Sequence, residues 1–239
     1  MKRMLRISAG VLAGLGVLAA GTWILGRAIG THKTVYEGKS IYYWSDQLTN
    51  RDAAASNKAA AIVYSQILPH LTNQMFSDTN DSKLRLALID QLNALPGIQV
   101  YFVTADGRRA QAANDVGTFG PAARCAAPAL LEALKRKDEL LCSPAASALA
   151  RIQADPETAV PALIGSLLDR KGHGQPDVVD ALGEYGPRAK AAVPLLVKLL
   201  RDRSSKDLIR AVPQALKRID PEAAARAGGP APSPKPSDK

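Results

Sequence analysis

The sequence predicts an all-α protein whose central part is an α-solenoid, a stack of helix pairs in which each pair repeats the one before it. The first observation is that one constant interval separates three prolines: Pro128, Pro161 and Pro194. The second is an Ala-Leu phrase that recurs with nearly the same period, its leucines being Leu149, Leu182 and Leu216. Periods of about 20–50 residues are typical of solenoid repeats, so two phrases that recur together favour this architecture.

Within each unit the apolar residues are spaced as on one face of an α-helix. In the middle unit Leu163 and Leu167 follow the proline, and Val178 and Leu182 come later, again four residues apart. Spacings of three and four residues place side chains on one stripe of a helix. Each unit therefore reads as a first helix and a second helix joined by a short polar turn.

Proline positions predict where these helices begin. Pro121, Pro156 and Pro187 fit the first helical position, where the missing N–H costs nothing, and Asp155 is placed to cap the amides that follow it. The three prolines of the constant interval lie further along, so they are expected to kink the first helix or to restart it.

The strongest match to a known pattern lies in the last two units. Residues 182–187 read Leu-Gly-Glu-Tyr-Gly-Pro, and residues 191–200 read Ala-Ala-Val-Pro-Leu-Leu-Val-Lys-Leu-Leu. This pattern resembles HEAT repeats, above all the short variety first named from phycobilisome lyases, and the resemblance covers about residues 108–219. It implies an α-solenoid of HEAT-like helix pairs that serves mostly in protein–protein interaction.

The N-terminal residues 1–30 predict a transmembrane anchor or a signal peptide. The chain is uncharged from Ile7 to Gly26. A helix needs about 20 apolar residues to cross the hydrocarbon core of a bilayer, and this run is long enough. Lys2, Arg3 and Arg6 precede it, which predicts a cytoplasmic N-terminus and a C-terminal part in the periplasm, in a single-pass inner-membrane protein. The alternative is cleavage and secretion, although the apolar core of a signal peptide is shorter, about 7–15 residues.

Residues 31–107 predict an N-terminal helical cap that contains degenerate repeats. A short helix is expected from Ser40, and longer helical segments at 53–76 and 81–95. In the second of these, one row of leucines is predicted to face inward: Leu84, Leu88, Leu92 and Leu95. The opening Tyr-Glu-Gly-Lys of residues 36–39, followed by Trp44, also resembles predicted membrane-anchored bacterial HEAT-like proteins.

The C-terminal residues 221–239 predict a disordered tail, because a Pro- and Ala-rich stretch cannot bury a core. Asp220-Pro221-Glu222 nevertheless echoes Asp155-Pro156-Glu157, so an unfinished fourth unit is a second possibility for the start of this stretch.

Catalytic, metal-binding and cofactor-binding residues are not predicted. The histidines His32, His70 and His173 are far apart, and none has a second ligand at a spacing that suits a metal. Cys125 and Cys142 are expected at opposite ends of a helix pair, too far apart for a disulfide, so both thiols are predicted to be buried and unpaired.

Charged residues on the second helices mark the candidate partner-binding surface. Three carboxylates share the polar face of one helix, and cations stand on the second helices on either side of it. A solvated surface is the simpler alternative, but alternating signs on the concave side of a solenoid suit a protein ligand better than a nucleic acid. The candidate residues are Arg109, Arg151, Asp177, Asp180, Glu184, Arg210 and Lys217.

These observations predict a non-enzymatic protein–protein interaction scaffold that is tethered to the membrane. The net charge of +9 favours an acidic partner, anionic lipid or a cell-wall polymer. Two alternatives remain: a lyase-like or other enzyme that uses the concave surface, and a basic HEAT-like protein that binds nucleic acid. The latter requires residence in the cytoplasm, so export argues against a nucleic-acid partner.

Overall fold

The structure, a computed structural model, describes residues 35–77, 81–94, 103–136, 138–169, 175–202 and 206–228. Apart from one short hairpin, the secondary structure of these residues is helical, which confirms the prediction of an all-α protein. They fall into two units: residues 81–94 and 103–105 belong to one, and residues 35–77 and 106–228 to the other.

The helices and strands follow one another along the chain with short connections. The strands are β1 (Val35–Tyr36) and β2 (Lys39–Ser40). The α-helices are α1 (Ile41–Gln47), α2 (Ala53–Ile62), α3 (Leu68–Ser77), α4 (Lys83–Asn93), α5 (Ala105–Thr118), α6 (Ala127–Lys135), α7 (Glu139–Arg151), α8 (Pro156–Asp169), α9 (Gln175–Tyr185), α10 (Val193–Asp202), α11 (Lys206–Ile219) and α12 (Pro221–Gly228). A π-helical turn, Val63–Ile67, joins α2 to α3, and two 3₁₀ segments, Gly120–Ala126 and Gly186–Ala192, precede α6 and α10.

Helix α4 belongs to the smaller unit and corrects one prediction. Leu84 and Leu88 are 84% and 51% exposed, whereas Ile89, on a neighbouring face of the helix, is buried. Leu84 and Leu88 were therefore wrongly predicted to face inward, whereas Leu92 is half-buried and Leu95 lies outside the described residues. A row of leucines is buried only where another element covers it, and the described part of this unit holds α4 and residues 103–105 alone.

The larger unit begins with a short antiparallel hairpin that was not predicted. Glu37 and Gly38 both have positive φ, 48° and 73°, which is the requirement of a tight hairpin turn of the type I′ kind. The following helix is as predicted: Ser40 caps α1 by accepting a hydrogen bond of 3.3 Å from the Tyr43 amide, and Trp44 is buried.

Within the larger unit, the helices from α6 to α11 form two rows. The first helices α6 and α8 contact each other, and α8 also contacts the 3₁₀ segment that leads into α10. The second helices α7, α9 and α11 lie side by side, with α9 in the middle. The repeating leucines of the second helices, Leu149, Leu182 and Leu216, are fully buried between the rows, as predicted from their period.

The recurring prolines act in two different ways. Pro128 and Pro194 stand in the first turn of α6 and α10, so each restarts the helix after a 3₁₀ segment. Pro161 lies inside α8, which already begins at Pro156. The capping prediction for Asp155 is confirmed, because its carboxylate accepts a hydrogen bond of 3.4 Å from the Glu157 amide.

The 3₁₀ segment before α6 explains an incorrect prediction for Cys125. With three residues per turn, this segment buries Ala123 and Ala126 and leaves Cys125 exposed. Cys142 is buried, and both cysteines are free, as predicted.

At the C-terminal end the structure differs from the predicted disorder. Residues Pro221–Gly228 form α12, which contacts α11 and buries Ala223. The amide of Ala223 donates a hydrogen bond of 3.0 Å to the Asp220 carboxylate, much as the Glu157 amide does to Asp155, and the unfinished fourth unit stays a prediction.

In the part of the chain that the structure describes, no helix combines the length and the apolar character needed to cross a membrane. The predicted span, residues 7–26, lies outside the described residues.

Candidate functional site

The exposed side of α7, α9 and α11 is the candidate site, and we call it the second-helix face. Small residues let these helices approach closely. A methyl group added to Gly183 of α9 would lie 3.1 Å from the Cα atom of Ala215 in α11, and Gly117 of α5 approaches Ala148 of α7 with the same spacing. The repeat therefore places equivalent parts of successive second helices next to each other.

Six of the seven predicted site residues are exposed on these three helices: Arg151, Asp177, Asp180, Glu184, Arg210 and Lys217. Arg109 is different. Its side chain is only 14% exposed, and its guanidinium forms ion pairs with Asp106 and with Asp138, the latter at 2.7 Å. Arg109 thus ties the start of α5 to the start of α7 and is largely withdrawn from any partner.

One pocket on this face collects charged residues from three successive repeats. It has a volume of about 480 Å³ and lies at the C-terminal ends of α7, α9 and α11. We call it the arginine pocket. Its lining residues are Ala150, Arg151, Gln153, Gly183, Glu184, Tyr185, Arg188 and Arg218.

One glycine in α5 and one in α9 help to position two of the arginines. The Cδ atom of Arg151 would lie 3.3 Å from a methyl group added to Gly117, and that of Arg218 3.7 Å from one added to Gly183. The aliphatic part of each arginine therefore packs along a glycine, and its charged end extends beyond the helix. The geometry repeats because the Gly-x-x-Gly-Pro phrase repeats.

A residue with positive φ follows each of the helices α5, α7 and α9. Gly120, Gln153 and Gly186 are separated by the same interval as the recurring prolines, and their φ values are 54°, 50° and 58°. At Gln153 the turn is a Schellman motif: the Ala154 amide donates to the Leu149 carbonyl at 3.1 Å, and the Gln153 amide to the Ala150 carbonyl at 3.0 Å. Gln153 thereby enters the wall of the pocket.

Tyr185 is one of the residues that line the pocket, and its hydroxyl is anchored by a hydrogen bond. The hydroxyl donates a buried hydrogen bond of 3.0 Å to the carbonyl oxygen of Leu149. Burial raises the pKa of Tyr185 to about 12, Asp155 and Glu184 also act to raise it, and the neighbouring Arg188 opposes them. At neutral pH this phenol is therefore uncharged, and its observed role is to connect two repeats.

Two carboxylates of α9 interact with side chains of the neighbouring helices. Ser143 of α7 donates a hydrogen bond to Asp177. Burial raises the pKa of Asp180, the charge of Asp177 raises it further, and Arg218 lowers it. Arg218 therefore lines the pocket and also acts on an acidic residue of α9.

Arg218 belongs to the cations expected on the second helix beside the carboxylates, although it was not among the candidate residues, and Arg188 was not selected. Arg218 stands two periods after Arg151 and occupies the equivalent place in its repeat, so the period itself was a usable signal. Arg188 carries no such signal, because it joins the pocket through the turn at Gly186.

Within the described ranges, no group of three or more His, Cys, Asp and Glu residues is arranged to hold a metal ion. Two of the histidines, His32 and His173, lie outside those ranges. The buried thiol of Cys142 forms a hydrogen bond of 3.2 Å with the hydroxyl of Ser166.

The chain matches no protein-family model, and it matches no curated protein sequence.

Proposed function

We propose that this protein is a non-enzymatic scaffold that binds a partner protein through the second-helix face. The observation that carries the proposal is the side-by-side arrangement of α7, α9 and α11, which gives one continuous surface. Cations at Arg151, Arg210 and Lys217 flank carboxylates on α9 there, and such alternation suits a protein surface of complementary charge.

The proposed architecture is an α-solenoid of HEAT-like helix pairs. Its support is the periodicity of the buried leucines and of the left-handed residues, which follow the interval found in the sequence. The Gly–Ala helix contacts recur at twice that interval. A stack of this kind exposes one long surface formed by equivalent helices, and that surface is what repeat proteins use for binding.

The proposed location is the inner membrane, with residues 7–26 as the anchor and the helical repeats in the periplasm. The uncharged run and the cations before it support this topology. A reporter fused after Lys239 that is active only outside the cytoplasm is the expected result. Mass spectrometry of the mature N-terminus separates a retained anchor from a cleaved and secreted form.

Site-specific photo-crosslinking tests the scaffold proposal in living cells. A photoreactive amino acid at Arg210 or Lys217 is expected to capture one protein reproducibly. The matched control is the same amino acid at Lys198, an exposed position on the first helix α10. Capture that is equal from all three positions, or absent from Arg210 and Lys217, would reject the second-helix face as the binding surface.

The reporter fused after Lys239 also decides between the scaffold and the nucleic-acid alternative. Three arginines in one pocket could contact phosphates, so this alternative has one observation in its favour. A reporter that is active only in the cytoplasm would favour the nucleic-acid alternative, because binding of nucleic acid requires residence in the cytoplasm.

A further inference from the structure

We propose that the arginine pocket binds the carboxylate of an acidic segment of the partner protein. The inference rests on the proposed function and deepens it, because it names the chemistry of the segment that the second-helix face recognises. Its starting point is the convergence of Arg151, Arg188 and Arg218 on one pocket, although they come from three different elements.

These guanidinium groups are available to a ligand. Among the described residues, none of the three forms an ion pair with a carboxylate within 4.0 Å. Arg188 lies over the ring of Tyr185, with 5.9 Å from its guanidinium carbon to the ring centroid, and this leaves its N–H groups free to donate. A guanidinium presents its donors in a planar fork that fits both oxygens of a carboxylate.

The balance of charge suits a single negative charge. Glu184 is the one acidic residue among those that line the pocket, and each helix end there adds a partial negative charge of about half a unit. These negative charges offset most of the positive charge of the three arginines, and Asp180 of α9 also interacts with Arg218. A singly charged carboxylate therefore leaves less excess negative charge than a doubly charged phosphate.

Two of the arginines are held in place before any ligand arrives. The side chains of Arg151 and Arg218 pack along Gly117 and Gly183, so less side-chain freedom remains to be lost on binding. The volume of about 480 Å³ lies within the range of small-ligand sites and exceeds the needs of one carboxylate group. A short acidic stretch of polypeptide, with one carboxylate at the arginines, fits these dimensions.

Calorimetric titration of the full chain in lipid nanodiscs tests the inference with three probes: hexaglutamate, hexaglutamine and inorganic phosphate. We expect hexaglutamate to bind and hexaglutamine not to bind. The double variant Arg151→Gln, Arg218→Gln should weaken hexaglutamate binding at least tenfold, since two charge-assisted hydrogen-bonding groups are lost. Replacement of the same two arginines by lysine should weaken it less, because the charges remain while the forked geometry is lost.

The matched control removes two positive charges elsewhere. Lys198 and Arg201 are exposed on α10, and their joint replacement by glutamine should leave the affinity within about twofold. Glu184→Gln should tighten binding several-fold, because it removes the negative charge inside the pocket. Far-UV circular dichroism of each variant verifies that the helices are intact.

Three results would overturn the inference. They are no binding of hexaglutamate to the unaltered protein, an equal loss of affinity in the pocket and control variants, or phosphate binding that is as tight and equally sensitive to Arg151 and Arg218.

Photo-crosslinking separates failure of this inference from failure of the scaffold proposal. A partner captured equally well by the Arg151→Gln, Arg218→Gln variant would retain the scaffold and reject the pocket. Hexaglutamate binding without any captured partner would retain the carboxylate site and reject the scaffold.

Discussion

The hydroxyl of Tyr185 reaches back one repeat and donates a buried hydrogen bond of 3.0 Å to the carbonyl oxygen of Leu149. The same carbonyl accepts the amide of Ala154 at 3.1 Å, in the Schellman turn that ends α7. The end of α9 is therefore bonded to the turn that ends α7. Phe119, which stands at the equivalent place in an earlier repeat, is also buried but has no hydroxyl to make this bond.

Replacing Tyr185 with phenylalanine should lower the free energy of unfolding by about 0.5–1.5 kcal/mol, because one buried hydrogen bond is lost. The loss should stay modest, since the Leu149 carbonyl retains the Ala154 amide. Urea denaturation followed by circular dichroism measures it. Tyr42→Phe is the control: this tyrosine is 65% exposed, and a change of similar size there would contradict the proposed cause.

Tyr185 should also make stability depend on pH in the alkaline range. Burial raises its pKa to about 12 in the folded protein, from 10.0 for an unperturbed tyrosine. Between these values the unfolded chain loses the phenolic proton and the folded chain keeps it. The stabilising contribution is complete below pH 10 and is lost as the pH rises toward 12.

Tyr36 adds to this dependence, because burial and the charge of Asp115 raise its pKa to about 12 as well. Free energies of unfolding at pH 9, 10 and 11 should therefore fall for the unaltered protein and fall less steeply for Tyr185→Phe. Parallel curves for the two proteins would show that Tyr185 ionises equally in both states.

Gly183→Ala should destabilise the protein by about 1–3 kcal/mol, because an added methyl group forces the backbones of α9 and α11 apart. That methyl would lie 3.1 Å from the Ala215 Cα atom and 3.3 Å from its Cβ atom, and neither atom belongs to a flexible chain end. Thermal unfolding followed by circular dichroism is the measurement.

Gly165→Ala is the matched control. Gly165 lies within α8, and a methyl group there meets no atom within 4 Å. This substitution should stabilise the protein by roughly 0.5–1 kcal/mol, because alanine loses less backbone freedom on folding than glycine. Opposite signs for the two variants are expected; equal signs would mean that helix propensity, rather than close approach, controls both positions.

The repeat could be predicted from the sequence because its signals are local. Helical spacing and a constant period place Leu149, Leu163 and Leu182 in the core, and all three are fully buried. Local rules also place Asp155 as the cap of α8 and start a short helix near Ser40. These features depend on a few neighbouring residues, and such residues are visible in a sequence.

The remaining features depend on geometry that periodicity does not contain. A 3₁₀ segment turns Cys125 outward because its turn has three residues, and the sequence around it looks helical in either form. The arginine pocket requires the ends of α7, α9 and α11 to meet at a particular rotation. That rotation follows from the Gly183–Ala215 contact and from the turn at Gly186, which brings Arg188 into the pocket.

Gln153→Gly should stabilise the protein by about 1 kcal/mol. Gln153 has a φ of 50° at the position where the neighbouring repeats have Gly120 and Gly186, and a residue with a side chain adopts that conformation at a cost of roughly 1–2 kcal/mol. The variant also loses the hydrogen bond from Arg124 to the Gln153 side chain, which is exposed and should contribute little. Gly186→Ala is the reverse substitution, and we expect it to lower the free energy of unfolding. Urea denaturation of both variants measures these changes. Changes of the same sign would refute the role assigned to the positive φ.

Arg109→Gln should be among the most destabilising changes of a charged residue in the described part of the chain. Its guanidinium lies 2.7 Å from the Asp138 carboxylate, and the two side chains are 14% and 18% exposed. Removing one partner of a largely buried pair leaves the other charge poorly solvated, and we expect a loss of about 2–3 kcal/mol.

Asp138 also caps α7 by accepting the amides of Leu140 and Leu141, so the damage should extend to the start of that helix. Hydrogen exchange of the α7 amides, measured together with the free energy of unfolding, would detect it. Lys190→Gln serves as the control, because the Lys190–Asp220 pair spans 3.9 Å and Lys190 is 75% exposed. Exposed pairs contribute about 0–1 kcal/mol, so a loss at Lys190 as large as that at Arg109 would contradict the role assigned to burial.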